Sequence, residues 1–252
     1  MNNKPLIYFV HGWGMNQAVW LPVVEKLSTK FRVKCLDIAG FGNKSQRDLE
    51  PYTLAAISDD IANDINEPGI IAGWSLGGLV AQYLALHHPS KLTALITIAS
   101  TPYFQACQTT DWPGIKPAVL SGFQQQLAQD YQVTLERFLA IQAMGSPTAK
   151  QDIRQLKQQL LEYPSPHLNA LKGGLTILEQ ADLRKNISNI TLPTLRLYGR
   201  LDALVPQKAI EKIKVFQPSA ESVVFAKASH APFISHLDDF IEEIIRFSQN
   251  LK

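Results

Sequence analysis

The chain has 252 residues, of which 46% are hydrophobic and 18% are charged, and its formal net charge is +2. Such a chain can bury a sizeable core in one domain, and its charge balance gives no reason to expect binding to nucleic acid. Cys35 and Cys107 are its two cysteines, and they form neither a disulfide framework nor a metal-ligand pattern. No motif for a cofactor is present, so we expect a protein that needs neither a metal nor an organic cofactor.

Two apolar stretches could suggest targeting or membrane insertion, and neither has the required pattern. The run at 6–10 is too short for a signal peptide and leads directly into the sequence HGWG. The uncharged stretch at 68–90 is interrupted by Pro, Gly, Ser and Gln, which favours a buried strand, turn and helix over a membrane span. We therefore expect a cytoplasmic protein that does not bind a membrane.

Strand-length apolar runs alternate with helix-length amphipathic segments along most of the chain. The expected strands are 6–10, 33–38, 69–72, 92–99, 194–198 and 222–226. The expected helices are 20–28, 54–65, 76–87, 207–213 and 237–249, with Thr53 as the N-cap of the second. Because apolar strands that alternate with helices are typical of a parallel sheet covered on both faces, we predict an α/β fold with a mostly parallel sheet.

The alternation of strands and helices stops between residues 105 and 183. The expected helices in this segment are 115–127, 133–144, 148–161 and 167–178. A helical insertion between two strands is expected to cover the carboxyl edge of the sheet, where open α/β folds bind ligands. We therefore predict a core made of residues 1–104 and 184–252 and a four-helix lid made of residues 105–183.

The motif Gly73-Trp74-Ser75-Leu76-Gly77 follows an expected strand and opens an expected helix. This is the context that G-x-S-x-G requires, because small flanking residues let the strand and the helix pack closely at a tight turn. The turn would hold Ser75 at the sheet edge, near the positive end of a helix. We predict that Ser75 is a nucleophile and not a plain turn serine.

A serine hydroxyl needs a base before it can act as a nucleophile. Asp202 follows the strand expected at 194–198, and His230 follows the strand expected at 222–226, so both lie at the same sheet edge as Ser75. The order Ser, acid, His is that of α/β-hydrolases. We predict that His230 is the general base and then the acid, and that Asp202 orients it.

Other titratable residues are weaker candidates for these roles. His236 lies near the start of the last expected helix and is interpreted as a surface or capping residue. His87 and His88 end a helix, where a basic group is favourable. His167 lies in the lid without an acid in an obvious place. Asp37 could be a second acid, but the glycines that follow it are more typical of a turn.

The sequence HGWG at 11–14 follows the first expected strand. Its glycines would let backbone N–H groups approach a developing oxyanion. We predict that the backbone N–H groups of Trp13 and Leu76 form an oxyanion hole, and that the Trp13 side chain is a wall of the acyl pocket. His11 is interpreted as a residue that ties this loop together.

These motifs resemble those of the α/β-hydrolase superfamily. More narrowly, nearly the whole chain is similar to the pimeloyl-[acyl-carrier protein] methyl ester esterases of biotin synthesis. The residues that carry this resemblance are HGWG at 11–14, GWSLGGLV at 73–80, DWPGIKPAVLSGFQQQL at 111–127, ERFLA at 136–140, LRLYG at 195–199 and FAKASHAPFISH at 225–236. One departure is Ala39, which stands where the superfamily loop after the second strand usually has proline.

The resemblance implies a serine esterase that hydrolyses the methyl ester at the free end of a pimeloyl chain carried on acyl-carrier protein. It implies substrate contacts from Trp13, Ser75, Leu76, Phe138, Leu139, Ala140, Ile141, Gln142 and His230. The alternative enzyme is a general short-chain carboxylesterase. The non-enzymatic alternative is a ligand receptor with the same fold, against which the presence of a complete Ser, Asp and His set argues.

A group of cationic residues in the lid suggests how such a carrier could dock. Lys150, Arg154 and Lys157 have the spacing i, i+4, i+7 and share one helix face, and Arg137 lies on a neighbouring helix. Acyl-carrier proteins are acidic, so these residues could steer and bind one. A solvated helix face is the simpler interpretation. We expect a monomer whose partner is the acyl-carrier protein.

Overall fold

A parallel β-sheet forms the centre of the molecule. The computed structural model describes residues 4–142 and 149–251. Within these residues the sheet has six strands in the order β2-β1-β3-β4-β5-β6, and each neighbouring pair is parallel. The strands are β1 (Leu6–Val10), β2 (Arg32–Leu36), β3 (Gly69–Trp74), β4 (Leu92–Ile98), β5 (Thr194–Gly199) and β6 (Glu221–Phe225). The expected α/β fold with a parallel sheet is confirmed.

The inner strands are more deeply buried than the two edge strands. Every residue of β1, β3 and β5 is buried, whereas β2 and β6 are mostly half-buried or exposed. Leu6, Tyr8 and Val10 belong to one buried cluster and Ile7 and Phe9 to another, because successive side chains point to opposite faces. Two hydrophobic layers therefore enclose the sheet, which explains why β1 and β3 are almost entirely apolar.

Helices cover the sheet and follow the strands in alternation. In the described ranges they are α1 (Leu21–Leu27), α2 (Leu54–Asp64), α3 (Leu76–His87), α4 (Pro117–Gln129), α5 (Tyr131–Gln142), α6 (Ala149–Leu161), α7 (Leu168–Gln180), α8 (Gln207–Phe216), α9 (Pro232–Ser235) and α10 (Leu237–Gln249). Thr53 caps α2 as expected, since its hydroxyl accepts the N–H of Ala56 at 3.2 Å. None of the helices described here is long and apolar enough to span a membrane.

The segment between β4 and β5 contains α4, α5, α6 and α7. Between these two strands, the described residues add no strand to the sheet and form only isolated bridges. Residues 144 and 148, which were expected to end α5 and begin α6, lie outside the described ranges. Ala170, Leu171 and Leu175 of α7 are buried in the same hydrophobic cluster as the β1 side chains Leu6, Tyr8 and Val10. This helix therefore packs against the core that covers one face of the sheet. The division at residues 105 and 183 stays a prediction.

Candidate functional site

Ser75 lies in the turn between β3 and α3, and its backbone is strained. Its φ is 55° and its ψ is −116°, a combination that side-chain-bearing residues rarely adopt. The N–H of Ser75 donates to the carbonyl of Ile98 at 2.9 Å, and the Ser100 hydroxyl donates to the carbonyl of Ser75 at 2.8 Å. These hydrogen bonds to the end of β4 hold the residue in its unusual conformation.

The glycines of the motif allow the close packing around this turn. A Cβ on Gly73 would collide with the carbonyl of Gly77, and a Cβ on Gly77 would collide with the carbonyl of Val10. Only glycine therefore fits at both positions. As a result Ser75 stands at the carboxyl end of β3 and at the N-terminus of α3, where the helix dipole stabilises negative charge.

His230 and Asp202 form a hydrogen bond in the interior. The Nδ1–H of His230 donates to Oδ2 of Asp202 at 2.8 Å, and both side chains are fully buried. The other carboxylate oxygen accepts the backbone N–H groups of Leu204 and Val205 at 2.8 and 3.0 Å. Because an ionised carboxylate only accepts, the neutral imidazole carries its proton on Nδ1 and keeps a lone pair on Nε2. In this state His230 can take a proton from a hydroxyl.

Ser75 and His230 each keep one polar atom unpaired. Ser75 Oγ and His230 Nε2 are buried, and neither has a hydrogen-bond partner in the described part of the chain. Buried polar atoms are normally paired, and these two are the atoms between which a proton would pass from a serine to an imidazole. Trp74 links the two residues, because it precedes Ser75 and its indole N–H donates to the carbonyl of His230 at 2.8 Å. No local sequence pattern indicates this bond, because it joins a variable position of the motif to a residue 156 positions away.

Trp13 lies between the sheet and the inserted helices. Its side chain is fully buried, and its indole N–H donates to the carbonyl of Leu171 in α7 at 2.9 Å. Its ring packs edge-on against Phe138 of α5, with 4.7 Å between the ring centroids. Within the described ranges the backbone N–H of Trp13 has no acceptor. The N–H of Leu76, the first residue of α3, has no partner inside that helix either.

The rest of the substrate-binding run expected in α5 is described in part. Leu139 is buried and belongs to the same hydrophobic cluster as Met15. Ala140 is exposed. The side chains of Ile141 and Gln142 lie outside the part of the chain that can be described. The geometry therefore brings Phe138 against Trp13, and the substrate-binding roles of all five residues stay predictions.

A cavity of about 430 Å³ lies between α5, the segment that precedes α7, and the loop after β1. Its lining includes Met15, Leu135, Glu136, Leu139, Lys157 and Tyr163. Lys157 and Glu136 form a partly exposed ion pair with an N–O distance of 2.9 Å. The cavity thus combines apolar walls with one cation from the group of residues predicted to bind a carrier.

The four residues predicted to dock a carrier differ in their contacts. Lys157 is paired with a glutamate of α5 at 2.9 Å, and Arg137 donates to a glutamine of α4. Lys150 and Arg154 are exposed and have no acidic partner within the described residues. Because ion pairs reduce the charge available to a partner, Lys150 and Arg154 are the stronger candidates for binding an acidic surface.

The other histidines have contacts of their own. His88 pairs with an aspartate of α2 at 2.7 Å, and the His87 ring lies 4.1 Å from a tyrosine ring one turn earlier. The imidazole of His236 is 2.9 Å from the hydroxyl of the preceding serine. His167 Nδ1 is 3.6 Å from Asp48, an acid that the sequence did not associate with it. These contacts explain His87, His88 and His236 without a catalytic role, whereas His167 Nδ1 has no hydrogen-bond partner among the described residues.

His11 and Asp37 connect loops beside the site. The Nδ1–H of His11 donates to the carbonyl of Gly12 at 2.8 Å, and its Nε2 accepts the N–H of Ile38 at 3.1 Å. Complete burial lowers the pKa of His11, which favours the neutral imidazole that this pattern requires. The Asp37 carboxylate accepts two backbone N–H groups at 2.7 and 2.8 Å. Both residues act as loop anchors, in agreement with the sequence interpretation.

Comparison with known proteins identifies the family. Residues 5–237 match the family model described as "alpha/beta hydrolase fold". This chain belongs to the α/β-hydrolase family. Within this family, the α/β-hydrolase is 51% identical over 243 residues to the pimeloyl-[acyl-carrier protein] methyl ester esterase of Aeromonas hydrophila subsp. hydrophila. The match covers 96% of this chain and 95% of the relative, and it confirms the resemblance drawn from the motifs.

Solved structures show the same fold at low sequence identity. An esterase from Exiguobacterium antarcticum superposes on this α/β-hydrolase with a TM-score of 0.86 at 20% identity, covering 99% of this chain and 94% of the esterase. A bromoperoxidase from Bacillus anthracis gives a TM-score of 0.89 at 18% identity, covering 98% and 93% of the two chains. At these identities the likeness concerns the fold alone.

Proposed function

We propose that this α/β-hydrolase cleaves the methyl ester of pimeloyl-[acyl-carrier protein] and releases methanol, as a step of biotin synthesis. The observation that carries the proposal is the 51% identity, over 96% of the chain, to an esterase named for that substrate. The strained turn at Ser75 and the buried hydrogen bond between His230 and Asp202 support ester hydrolysis by a serine nucleophile. The chain is accordingly a carboxylic ester hydrolase.

In the first half of the reaction, Ser75 Oγ attacks the ester carbonyl while His230 Nε2 takes its proton. The backbone N–H groups of Trp13 and Leu76 then stabilise the negative oxygen of the tetrahedral intermediate. His230 gives the proton to the departing methoxy oxygen, which leaves as methanol. The result is an acyl ester on Ser75.

In the second half of the reaction, His230 takes a proton from a water molecule, which attacks the acyl ester. His230 then returns the proton to Ser75 Oγ as the free carboxylic acid leaves. Asp202 holds the imidazole in one tautomer and stabilises the imidazolium that forms in both halves. The two backbone N–H bonds to its second oxygen keep the carboxylate fixed in that role. The mechanism uses only side-chain and backbone groups, so we propose that no metal or organic cofactor takes part.

Acyl-carrier protein is the partner that we propose for the outer surface of the inserted helices. Lys150 and Arg154 would bind its acidic surface, with Lys157 and Arg137 beside them, because these residues expose positive charge on α5 and α6. Lys157 also lines the cavity next to Leu139, so a carrier bound there would present its acyl arm to the lid side of the site. We further propose that the enzyme acts as a monomer in the cytoplasm.

Covalent labelling with an alkyl p-nitrophenyl phosphonate tests the catalytic assignment. We expect one phosphonyl group per chain, located on the peptide that contains Ser75, and no labelling of the Ser75→Ala variant. Ser121→Ala, which changes a serine of α4, is the matched control and should label like the wild type. Labelling that persists in Ser75→Ala, or a label on another residue, would contradict the proposed nucleophile.

A further inference from the structure

We propose that Trp74 is a positioning residue: its indole N–H holds the backbone of His230 so that the imidazole stays aligned with Ser75 Oγ. This inference rests on the proposed function, because it concerns the geometry of the proposed nucleophile and base. It assigns a role to a motif position that the chemistry of G-x-S-x-G leaves open.

The Trp74 side chain is well suited to hold a neighbouring loop. It is fully buried, and its indole N–H donates to the carbonyl of His230 at 2.8 Å. Its ring packs edge-on against Phe233 at 5.0 Å and against Trp20 at 6.4 Å between centroids. A ring fixed on both sides cannot rotate freely, so the hydrogen bond has a defined direction.

His230 lies in the segment between β6 and α9, and several contacts from the turn after β5 also fix this segment. The carbonyl of Ala228 accepts the N–H of Leu201 at 2.9 Å, and Asp202 holds the imidazole. Both of these contacts come from the turn after β5. The bond from Trp74 comes from the turn after β3, so it ties the base to the residue that immediately precedes Ser75. The segment is thereby held from both sides of the site.

This tie matters because Ser75 Oγ and His230 Nε2 must come within hydrogen-bond distance during the reaction. Neither atom has a partner in the described structure, so no direct bond between them sets their separation. Small displacements of catalytic groups cost large factors in rate. The Trp74 bond is a direct polar link between the two turns and limits how far the base can move from the nucleophile.

Another tryptophan provides an internal control. The indole N–H of Trp112 donates to the carbonyl of Tyr103 at 2.8 Å, which is the same kind of bond in the loop before α4. Trp112→Phe therefore removes an equivalent bond away from the Trp74 ring and its neighbours.

The test compares Trp74→Phe and Trp112→Phe with the wild type on p-nitrophenyl butyrate. For Trp74→Phe we expect kcat to fall about tenfold, because the base is then less well aligned with the nucleophile, with little change in KM. We expect Trp112→Phe to keep kcat within about twofold and to lose thermal stability to a similar extent as Trp74→Phe. The downfield proton resonance of the bond between His230 and Asp202 should broaden in Trp74→Phe alone.

A variant that conserves the shape of the side chain distinguishes the loss of the hydrogen bond from the loss of the ring. Trp74→benzothienylalanine replaces the indole N–H by sulfur and keeps the bicyclic ring, so it should fold like the wild type and show the same fall in kcat. A wild-type kcat in this variant would overturn the role of Trp74, as would an equal loss in Trp112→Phe. If the wild type itself neither hydrolyses the ester nor labels at Ser75, the proposed function fails first, and this inference fails with it.

Discussion

The indole N–H of Trp13 donates to the backbone carbonyl of Leu171 at 2.9 Å, so the loop after β1 is tied to α7. The same indole faces Gly174 one turn later in α7, where a Cβ would lie 2.5 Å from Trp13 Cδ1. The loop that we propose to supply one oxyanion donor is therefore positioned by a helix of the inserted segment.

Gly174→Ala should displace the Trp13 ring and with it the backbone N–H of the proposed oxyanion hole. We expect kcat on p-nitrophenyl butyrate to fall by about 10²-fold, in the range for loss of an oxyanion donor. Gly122→Ala is the matched control, because a Cβ at that position of α4 meets nothing within 4 Å. The control should keep its activity and gain up to about 1 kcal/mol of stability. Full activity of Gly174→Ala would contradict the proposed coupling.

Asp202→Asn should leave the fold intact and remove most of the activity. The amide oxygen can still accept the N–H groups of Leu204 and Val205, but the amide nitrogen would then face His230 Nδ1 and favour the wrong tautomer. We expect kcat to fall by about 10³–10⁴-fold with a small change in the melting temperature. Asp37→Asn tests the second acid of the sequence analysis. Its kcat should fall far less, and the reverse order of effects would overturn the assignment of Asp202.

Arg154→Glu should weaken activity on the carrier-bound ester and spare small soluble esters. The change reverses an exposed charge that has no acidic partner within the described residues, so it would repel an acidic carrier. We expect KM for the carrier-bound ester to rise and its dependence on salt to decrease. Lys208→Glu, an equal change of sign at an exposed position of α8, should have no such effect. Equal losses on both substrates would exclude docking at Arg154.

Burial of His11 should make the protein less stable in mild acid. Burial lowers the pKa of folded His11 below its ordinary value of 6.5, although Asp37 nearby acts in the opposite direction. Below about pH 6.5 the unfolded chain then binds more protons than the folded one, so the free energy of unfolding falls as the pH falls, by at most about 1.4 kcal/mol per unit.

Urea unfolding at about pH 7.5 and about pH 5.5 measures this dependence. The difference in the free energy of unfolding between the two pH values should be smaller in His11→Gln than in the wild type. An unchanged difference in His11→Gln would show that its imidazole titrates normally in the folded protein.

The periodicity of the sequence predicted the strands and most helices because the sheet is buried on both faces. The run at 6–10 and the helices at 76–87 and 237–249 have the expected bounds. The helix α9, a single turn that begins with Pro232, was not predicted, because four residues are too few to show a period. Local patterns thus sufficed wherever an element was long enough to show an apolar run or a helical period.

The site was predictable only as far as its residues occupy recognisable motif positions. Ser75, Asp202 and His230 follow strands in a known order, whereas Trp74 and Leu171 contribute through bonds between segments far apart in the chain. The positive charge that α6 presents to a partner was also only partly predictable, because the spacing of its cationic residues could not show that Lys157 would form an ion pair. Such pairings depend on how helices pack against one another, which no local pattern specifies.

The most direct test of the account is the turnover of pimeloyl-[acyl-carrier protein] methyl ester beside p-nitrophenyl butyrate, for the wild type and for Ser75→Ala. We predict a strong preference of the wild type for the carrier-bound ester, with release of methanol and no release of carrier thiol. Ser75→Ala should lose at least about 10³-fold in rate on both substrates. Turnover of the small ester alone would leave a serine esterase but contradict the carrier-bound substrate, and full activity of Ser75→Ala would contradict the mechanism.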